Sequence, residues 1–157
     1  MPSLFDDHDA VGLAELVRRG DVRPSELTDE AIHRTERADE TLNAVTTPMY
    51  AWAREVAATY DRDLGDGPLA GVPFALKDLG AALSGVPLTA GSAALRHYVP
   101  DRDSTLVARL REAGLVPLAK TSTPELGLMG VTEPEAFGPT RNPWDLGRTP
   151  GGSSGGS

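Results

Sequence analysis

Residues 69–78 read LAGVPFALKD, and this stretch decides the fold. Residues 69–76 are short, apolar and bounded by turn residues, the pattern of a buried β-strand. Lys77 and Asp78 stand at the C-terminal end of that strand. Just before it, residues 65–68 form a loop, and after it a Gly/Pro-containing stretch runs to Pro100. Asp103 and Ser104 can cap a helix with Leu106, Val107 and Leu110 on its inner face and Gly114 as its stop. Residues 115–119 are a second apolar strand. Strand, loop, helix, strand is the rhythm of an α/β domain with some parallel pairing.

Upstream, residues 9–19 place Leu13, Leu16 and Val17 at helical spacing, and Gly20 ends that pattern. Pro24 and Ser25 open a second helix, with Ser25 as its cap and Leu27, Ala31 and Ile32 as its apolar stripe. A third helix is expected over residues 51–60, with Trp52, Val56 and Tyr60 on one face. Downstream of Thr121 the chain reads mostly as loop, punctuated by Pro124, Pro134, Pro139, Pro143 and Pro150. The organisation expected is a helical lead-in over residues 1–64 and the start of an α/β core over residues 65–157.

The 157 residues suffice for one domain with a real core. At 39% hydrophobic and 24% charged, the composition is that of a globular protein and not of a disordered tail. The net charge of -8 opposes contact with a phosphate backbone, so no nucleic-acid partner is expected. The absence of cysteine excludes disulfides, thiolate metal sites and a cysteine nucleophile, and is compatible with a reducing compartment. The opening MPSLFDDHDA has no basic start followed by an apolar run, so no signal peptide is expected. No apolar stretch approaches the roughly 20 residues of a membrane span, which makes a cytoplasmic location the default expectation. His8, His33 and His97 lack metal-ligand spacing with carboxylates and read as surface residues; neither metal nor cofactor is called for.

Residues 151–157, GGSSGGS, match a flexible linker or a disordered tail when taken alone. They fail as a phosphate loop, because no lysine follows the glycines. Their context changes this. GPTRNPW precedes them at residues 138–144, GVPFALKD lies at residues 71–78, and AGLVPLAKTSTPELG lies between at residues 113–127. Three blocks in this order resemble the amidase signature family, weakly before Pro68 and strongly after it. The resemblance implies the N-terminal part of that α/β fold, a mixed and mostly parallel sheet flanked by helices, here incomplete.

It also implies a chemistry. An amide is a poor electrophile with a poor leaving group, so hydrolysis needs an activated nucleophile, a proton for the amine and donors for the oxyanion. The family's arrangement is serine, serine, lysine in place of a histidine triad. Lys77 carries over as the base. A lysine ammonium ordinarily titrates near ~10.4, so a lysine base must be partly desolvated or set near another cation. Lys77, after an apolar run, is expected in the interior at a strand's C-terminal end, where open α/β sheets place their sites. Lys120 holds a similar position after the next strand but has no motif support, and reads as structural. Ser153 carries over as the bridging serine, joined to Gly152 by a cis peptide bond. Adjacent Ser154 is its rival, which sequence alone does not separate, and otherwise supports the loop. The nucleophile would be a later serine in a second Gly-rich segment, near the oxyanion donors, and Ser157 does not match its motif. Gly127, Leu128 and Met129 are expected to border the acyl pocket. Arg141 and Asn142 are expected to anchor the loop carrying the Gly/Ser segment, with Trp144 packed beneath it.

Within the family, residues 122–144 look closest to bacterial amidases of the kind that hydrolyse cyclic oligoamides. The alternative is the glutamine-hydrolysing component of a tRNA-dependent amidotransferase. That component typically carries an acidic-Phe-Ala-Met-Gly stretch where this chain has Glu125-Leu126-Gly127-Leu128-Met129-Gly130. A small-molecule amide is the expected partner, with no membrane and with a homodimer possible for a longer parent. Lacking the nucleophile's motif, the 157 residues by themselves are expected to be catalytically silent, at most a structural or binding piece, with exposed sheet edges and marginal stability.

Overall fold

The computed structural model describes residues 4–157; the first three residues of MPSLFDDHDA lie outside them. A single turn, α1 (Leu4–Asp7), leads into α2 (Ala10–Arg19). The Asp9 carboxylate caps α2 by accepting from the Gly12 N–H at 2.8 Å, and Gly20 closes it in the left-handed region. The next helix, α3 (Pro24–Leu42), starts with proline at its first position. Its cap is not Ser25, which already lies inside the helix and donates its N–H to Asp61 at 3.0 Å. Instead Glu26 reaches back to the Arg23 N–H at 2.9 Å, the carboxylate half of a capping box. Leu27, Ala31 and Ile32 are buried as their spacing requires. Fully burying a Leu or Ile side chain contributes about 1.5–3 kcal/mol.

Three strands form one sheet in the order β1-β3-β2: β1 (Val45–Pro48), β2 (Pro73–Lys77) and β3 (Val116–Thr121). β2 runs parallel to β3, whereas β1 runs antiparallel to it. The fold is therefore α/β with a mixed sheet, and the parallel pairing is the one that the strand-loop-helix-strand rhythm demands. β1 escapes a sequence reading, because VTTP is short, ends in proline and has no apolar alternation. Proline is tolerated there because β1 is an edge strand. β3 extends past Ala119 to include Lys120 and Thr121, and all six of its residues are buried.

β2 departs from expectation. It begins at Pro73, and Phe74 and Ala75 are exposed, so it is an edge strand and not a buried one. Among the described residues only β3 pairs with it, and one of its faces borders an apolar groove of about 290 Å³ that Leu118, Ala119 and Gly156 also line.

The helix α4 (Tyr50–Tyr60) packs on β3 through Ala53, which like Ala57 is wholly buried, while Trp52, Val56 and Tyr60 are only half-buried. Small side chains let the helix approach the sheet closely, and the larger residues flank that contact. In α5 (Thr105–Glu112), Ser104 is the cap and Val107 the buried anchor, with Leu110 half-buried. Leu106 is exposed, one helical step off the inner face. Gly114 then turns the chain with positive φ, in a position where a Cβ would meet the Ala70 backbone at 2.4 Å. Among the described residues no helix is long and apolar enough to cross a membrane.

Candidate active site

Lys77 is the last residue of β2 and Ser153 lies in the Gly/Ser segment 76 positions later, yet Lys77 Nζ donates to Ser153 Oγ at 2.8 Å. The parallel register Lys77↔Thr121 fixes the lysine's backbone, and the Asp78 N–H continues the ladder to Thr121 O at 3.0 Å. Lys77 is half-buried rather than fully interior, as befits the end of an edge strand.

The peptide between Gly152 and Ser153 is cis. The Ser153 carbonyl accepts from the Thr123 hydroxyl at 3.0 Å, and the Gly151 carbonyl accepts from the Thr132 hydroxyl at 2.7 Å. Ser154 is exposed and contributes a carbonyl to the Ser157 N–H, so geometry separates the two serines where sequence does not. The segment is no linker. Gly156 donates to Ser122 O at 3.1 Å, and a Cβ on Gly156 would come within 2.4 Å of Ser122 N and 2.6 Å of Ala44 O. Such contact with backbone leaves no room for any side chain.

Gly127 sits in a single 3-10 turn, Glu125–Gly127, at φ +70. A Cβ there would lie 2.5 Å from Leu79 Cδ2 and 3.9 Å from Ser153 Cβ, which places this turn beside Ser153. Leu128 and Met129 follow with 78% and 60% of their surface exposed, an apolar pair beside the site with nothing packed on it among the described residues. Asn142 closes the loop that precedes the Gly/Ser segment: its carboxamide oxygen accepts from the Trp144 N–H at 2.9 Å, and its backbone N–H reaches Arg148 O at 3.1 Å. Arg141 contributes through its backbone N–H to Leu42 O at 2.8 Å, its side chain being exposed. Trp144 does not pack beneath the loop. It is 94% exposed at the tip, because the loop closes on its own polar bonds and leaves the indole outside.

Lys120 is fully buried. Its ammonium donates to the Ala81 carbonyl, and burial pushes its pKa below the usual lysine value, with the Asp78 carboxylate pulling the other way. Asp78 is also fully buried and accepts from the Thr89 N–H at 3.0 Å and the Thr89 hydroxyl at 2.5 Å. Sequence reasoning missed this cluster's proximity to the site; the Lys-Asp dipeptide at 77–78 was its one visible trace. His8, His33 and His97 are exposed, and no group of three potential metal ligands occurs among the described residues.

A half-buried lysine at a strand's C-terminal end is thus bonded to a serine on a tightly packed Gly-rich segment, the two residue types that serine-lysine chemistry combines. The sequence pattern of the Amidase family matches residues 26–157, and the chain belongs to that family. It is 44% identical over 151 residues to 6-aminohexanoate-cyclic-dimer hydrolase of Paenarthrobacter ureafaciens, covering 95% of this chain and 30% of that protein. It is 45% identical over 152 residues to the A component of glutamyl-tRNA(Gln) amidotransferase of Salinispora arenicola, covering 94% of this chain and 31% of that one. The crystal structure of a bacterial aryl acylamidase of the amidase signature family superposes with a TM-score of 0.89 at 38% identity, over 95% of this chain and 32% of that one. The chain thus spans about 30% of the length of the relatives it matches.

Proposed function

We propose that Lys77 and Ser153 are the base and the bridging hydroxyl of an amide-hydrolysing site of the Ser-cis-Ser-Lys type. The observation that carries this is the 2.8 Å contact between Lys77 Nζ and Ser153 Oγ. Only a neutral lysine amine can act as the base. It takes the Ser153 hydroxyl proton while Ser153 takes the proton of the nucleophilic serine. That serine's oxygen bonds to the amide carbon, the C–N bond breaks, and the relayed proton leaves on the amine. In this reading the nucleophile and the oxyanion donors come from a segment other than residues 4–157. Ser154, Arg141 and Asn142 hold the loop, and Gly127, Leu128 and Met129 line the acyl side of a small-molecule amide pocket. The apolar exposure of Leu128 and Met129 supports a substrate with a methylene-rich acyl chain, as in the cyclic-dimer hydrolase. A cytoplasmic setting is part of the proposal, and the cysteine-free composition is compatible with it.

A chimera tests this reading. Residues 1–157 joined to the remaining two-thirds of the 6-aminohexanoate-cyclic-dimer hydrolase are expected to hydrolyse linear and cyclic amides. Lys77→Ala or Ser153→Ala is expected to reduce kcat by about 10²–10⁴. Turnover that survives both substitutions would refute the proposal.

A second reading, glutamine hydrolysis as part of a tRNA-dependent amidotransferase, is favoured by the 45% identity to the Salinispora protein. Ammonia release from glutamine, without turnover of simple amides, by the chimera carrying that protein's remainder would select it.

A further inference from the structure

We infer that the buried Lys120–Asp78–Thr89 cluster is a positioning bracket that holds Lys77 and Ser153 in contact. This rests on the proposed role of that pair. In the parallel register Leu76 faces Lys120 and Lys77 faces Thr121. Side chains alternate along a strand, so Lys120 lies on the sheet face opposite Lys77. It touches neither Lys77 nor Ser153 and acts through the backbone around them.

The chain of contacts is continuous. Lys120 holds the Ala81 carbonyl, at the start of the loop that follows Lys77. Asp78, the residue next to Lys77, ties the start of that loop to its middle through both bonds to Thr89. The Gly91 N–H adds a bond to the Thr89 hydroxyl at 3.2 Å. From there the loop grips the turn beside Ser153: the Ala90 carbonyl accepts from the Leu126 N–H at 2.7 Å, and the Ser92 hydroxyl donates to Glu125 at 2.6 Å. Thr123, two residues before that turn, holds the Ser153 carbonyl.

A second observation points the same way. Ala90 and Leu126, the two residues joined by that backbone bond, both have φ above +50, at +51 and +54. Residues with a Cβ rarely adopt this conformation, and it persists only where surrounding structure over-determines it. Two of the three non-glycine residues with positive φ among the described residues thus meet where the loop joins the turn beside Ser153; the third, Asn43, caps α3. Charge adds a reason for a cation at position 120. A buried Asp78 without a counter-charge would set an isolated anion beside the proposed base.

The test is a spectroscopic signature of Lys77. With lysine labelled at its ε-carbon, the Lys77 methylene resonance is assigned by its loss in Lys77→Arg. In the parent protein Ser153→Ala is expected to shift that resonance, because the hydroxyl partner is removed. In a Lys120→Met background the Lys77 resonance is expected to move toward the value of a lysine in an unfolded chain and to lose its response to Ser153→Ala. Melting temperature is recorded alongside, since a merely structural role would move only that. If Lys120→Met does not fold, Thr89→Val keeps both charges and the backbone bond but removes the hydroxyl's bonds to Asp78 and Gly91, and it is read in the same way. A folded Lys120→Met or Thr89→Val protein in which Ser153→Ala still shifts Lys77 fully overturns the bracket and leaves the functional proposal intact. No response to Ser153→Ala in the parent overturns the lysine-serine pair itself, and the bracket with it.

Discussion

Two lysines sit one register step apart on neighbouring strands and live in opposite worlds. Lys77 ends the edge strand β2, half-buried, with its ammonium on Ser153. Lys120 lies within the central strand β3, fully buried, with its ammonium on a backbone carbonyl. Both follow short apolar runs, PFAL and VPLA. Strand position and side-chain parity separate them, and residue type does not. The end of an edge strand leaves a lysine reachable by a partner loop, whereas a central strand's lysine must find its partners inside.

The sharpest way to break the comparison is to truncate each lysine in turn. Lys77→Ala is expected to abolish amide hydrolysis in the chimera while changing stability by only about 0.5 kcal/mol, since its head group is partly solvated. Lys120→Ala is expected to cost about 3 kcal/mol, from the cavity and from a buried Asp78 left without its counter-charge. Denaturant midpoints and initial rates on the same preparations check both; a destabilised Lys77→Ala or a fully stable Lys120→Ala would erase the distinction.

The segment that brings Ser153 to Lys77 predicts the next largest effect. Gly156→Ala is expected to lower stability by about 2 kcal/mol or more, because backbone atoms occupy the space a Cβ needs. Gly127→Ala adds a Cβ at positive φ against a leucine methyl that can move aside, and is expected to cost about 1–2 kcal/mol. Thermal melts rank the two, and a flexible tail would show neither loss.

A pH series separates the lysines further. The folded-state pKa of Lys120 lies below its unfolded value because burial disfavours the ammonium. Between those two values the unfolded chain binds the proton that the folded chain has released. Stability therefore rises with pH across that window, up to the ordinary lysine value of ~10.4, and the penalty is fully present below it. Lys120→Met is expected to flatten this rise in urea midpoints taken at increasing pH, and an unchanged slope would assign it to another group.

The smallest expected effect concerns the exposed face of β2. Phe74→Ser removes an aromatic ring from an open edge and is expected to change stability by under about 1 kcal/mol while reducing concentration-dependent association. Sedimentation velocity over a range of protein concentrations reads this directly.

Much of the fold is legible in the sequence. The stop of α2, the cap and stop of α5, the stripe of α3 and the strand pair around Lys77 all follow from local chemistry, which needs only neighbours in sequence. β1 is not legible, because an edge strand of VTTP takes its order from β3 and not from its own pattern. The inner face of α4 defeats the expectation that its large residues are the buried ones, since close helix-sheet approach favours Ala53. Leu106 and Trp144 show the same limit from the other side: hydrophobic residues remain exposed when the backbone around them is satisfied elsewhere.

The sequence by itself determined the α/β class, the family and, by resemblance, Lys77 with a serine of the Gly/Ser segment, because three motif blocks in order are specific. Only the tertiary structure decided that Ser153 and not Ser154 meets the lysine, and that the Gly/Ser segment is packed and not loose. It also decided that a second lysine lies buried behind the first. The reason is physical: the partners are up to 76 residues apart, and contact across that separation is set by strand register and by glycine's missing side chain, neither of which a local pattern encodes.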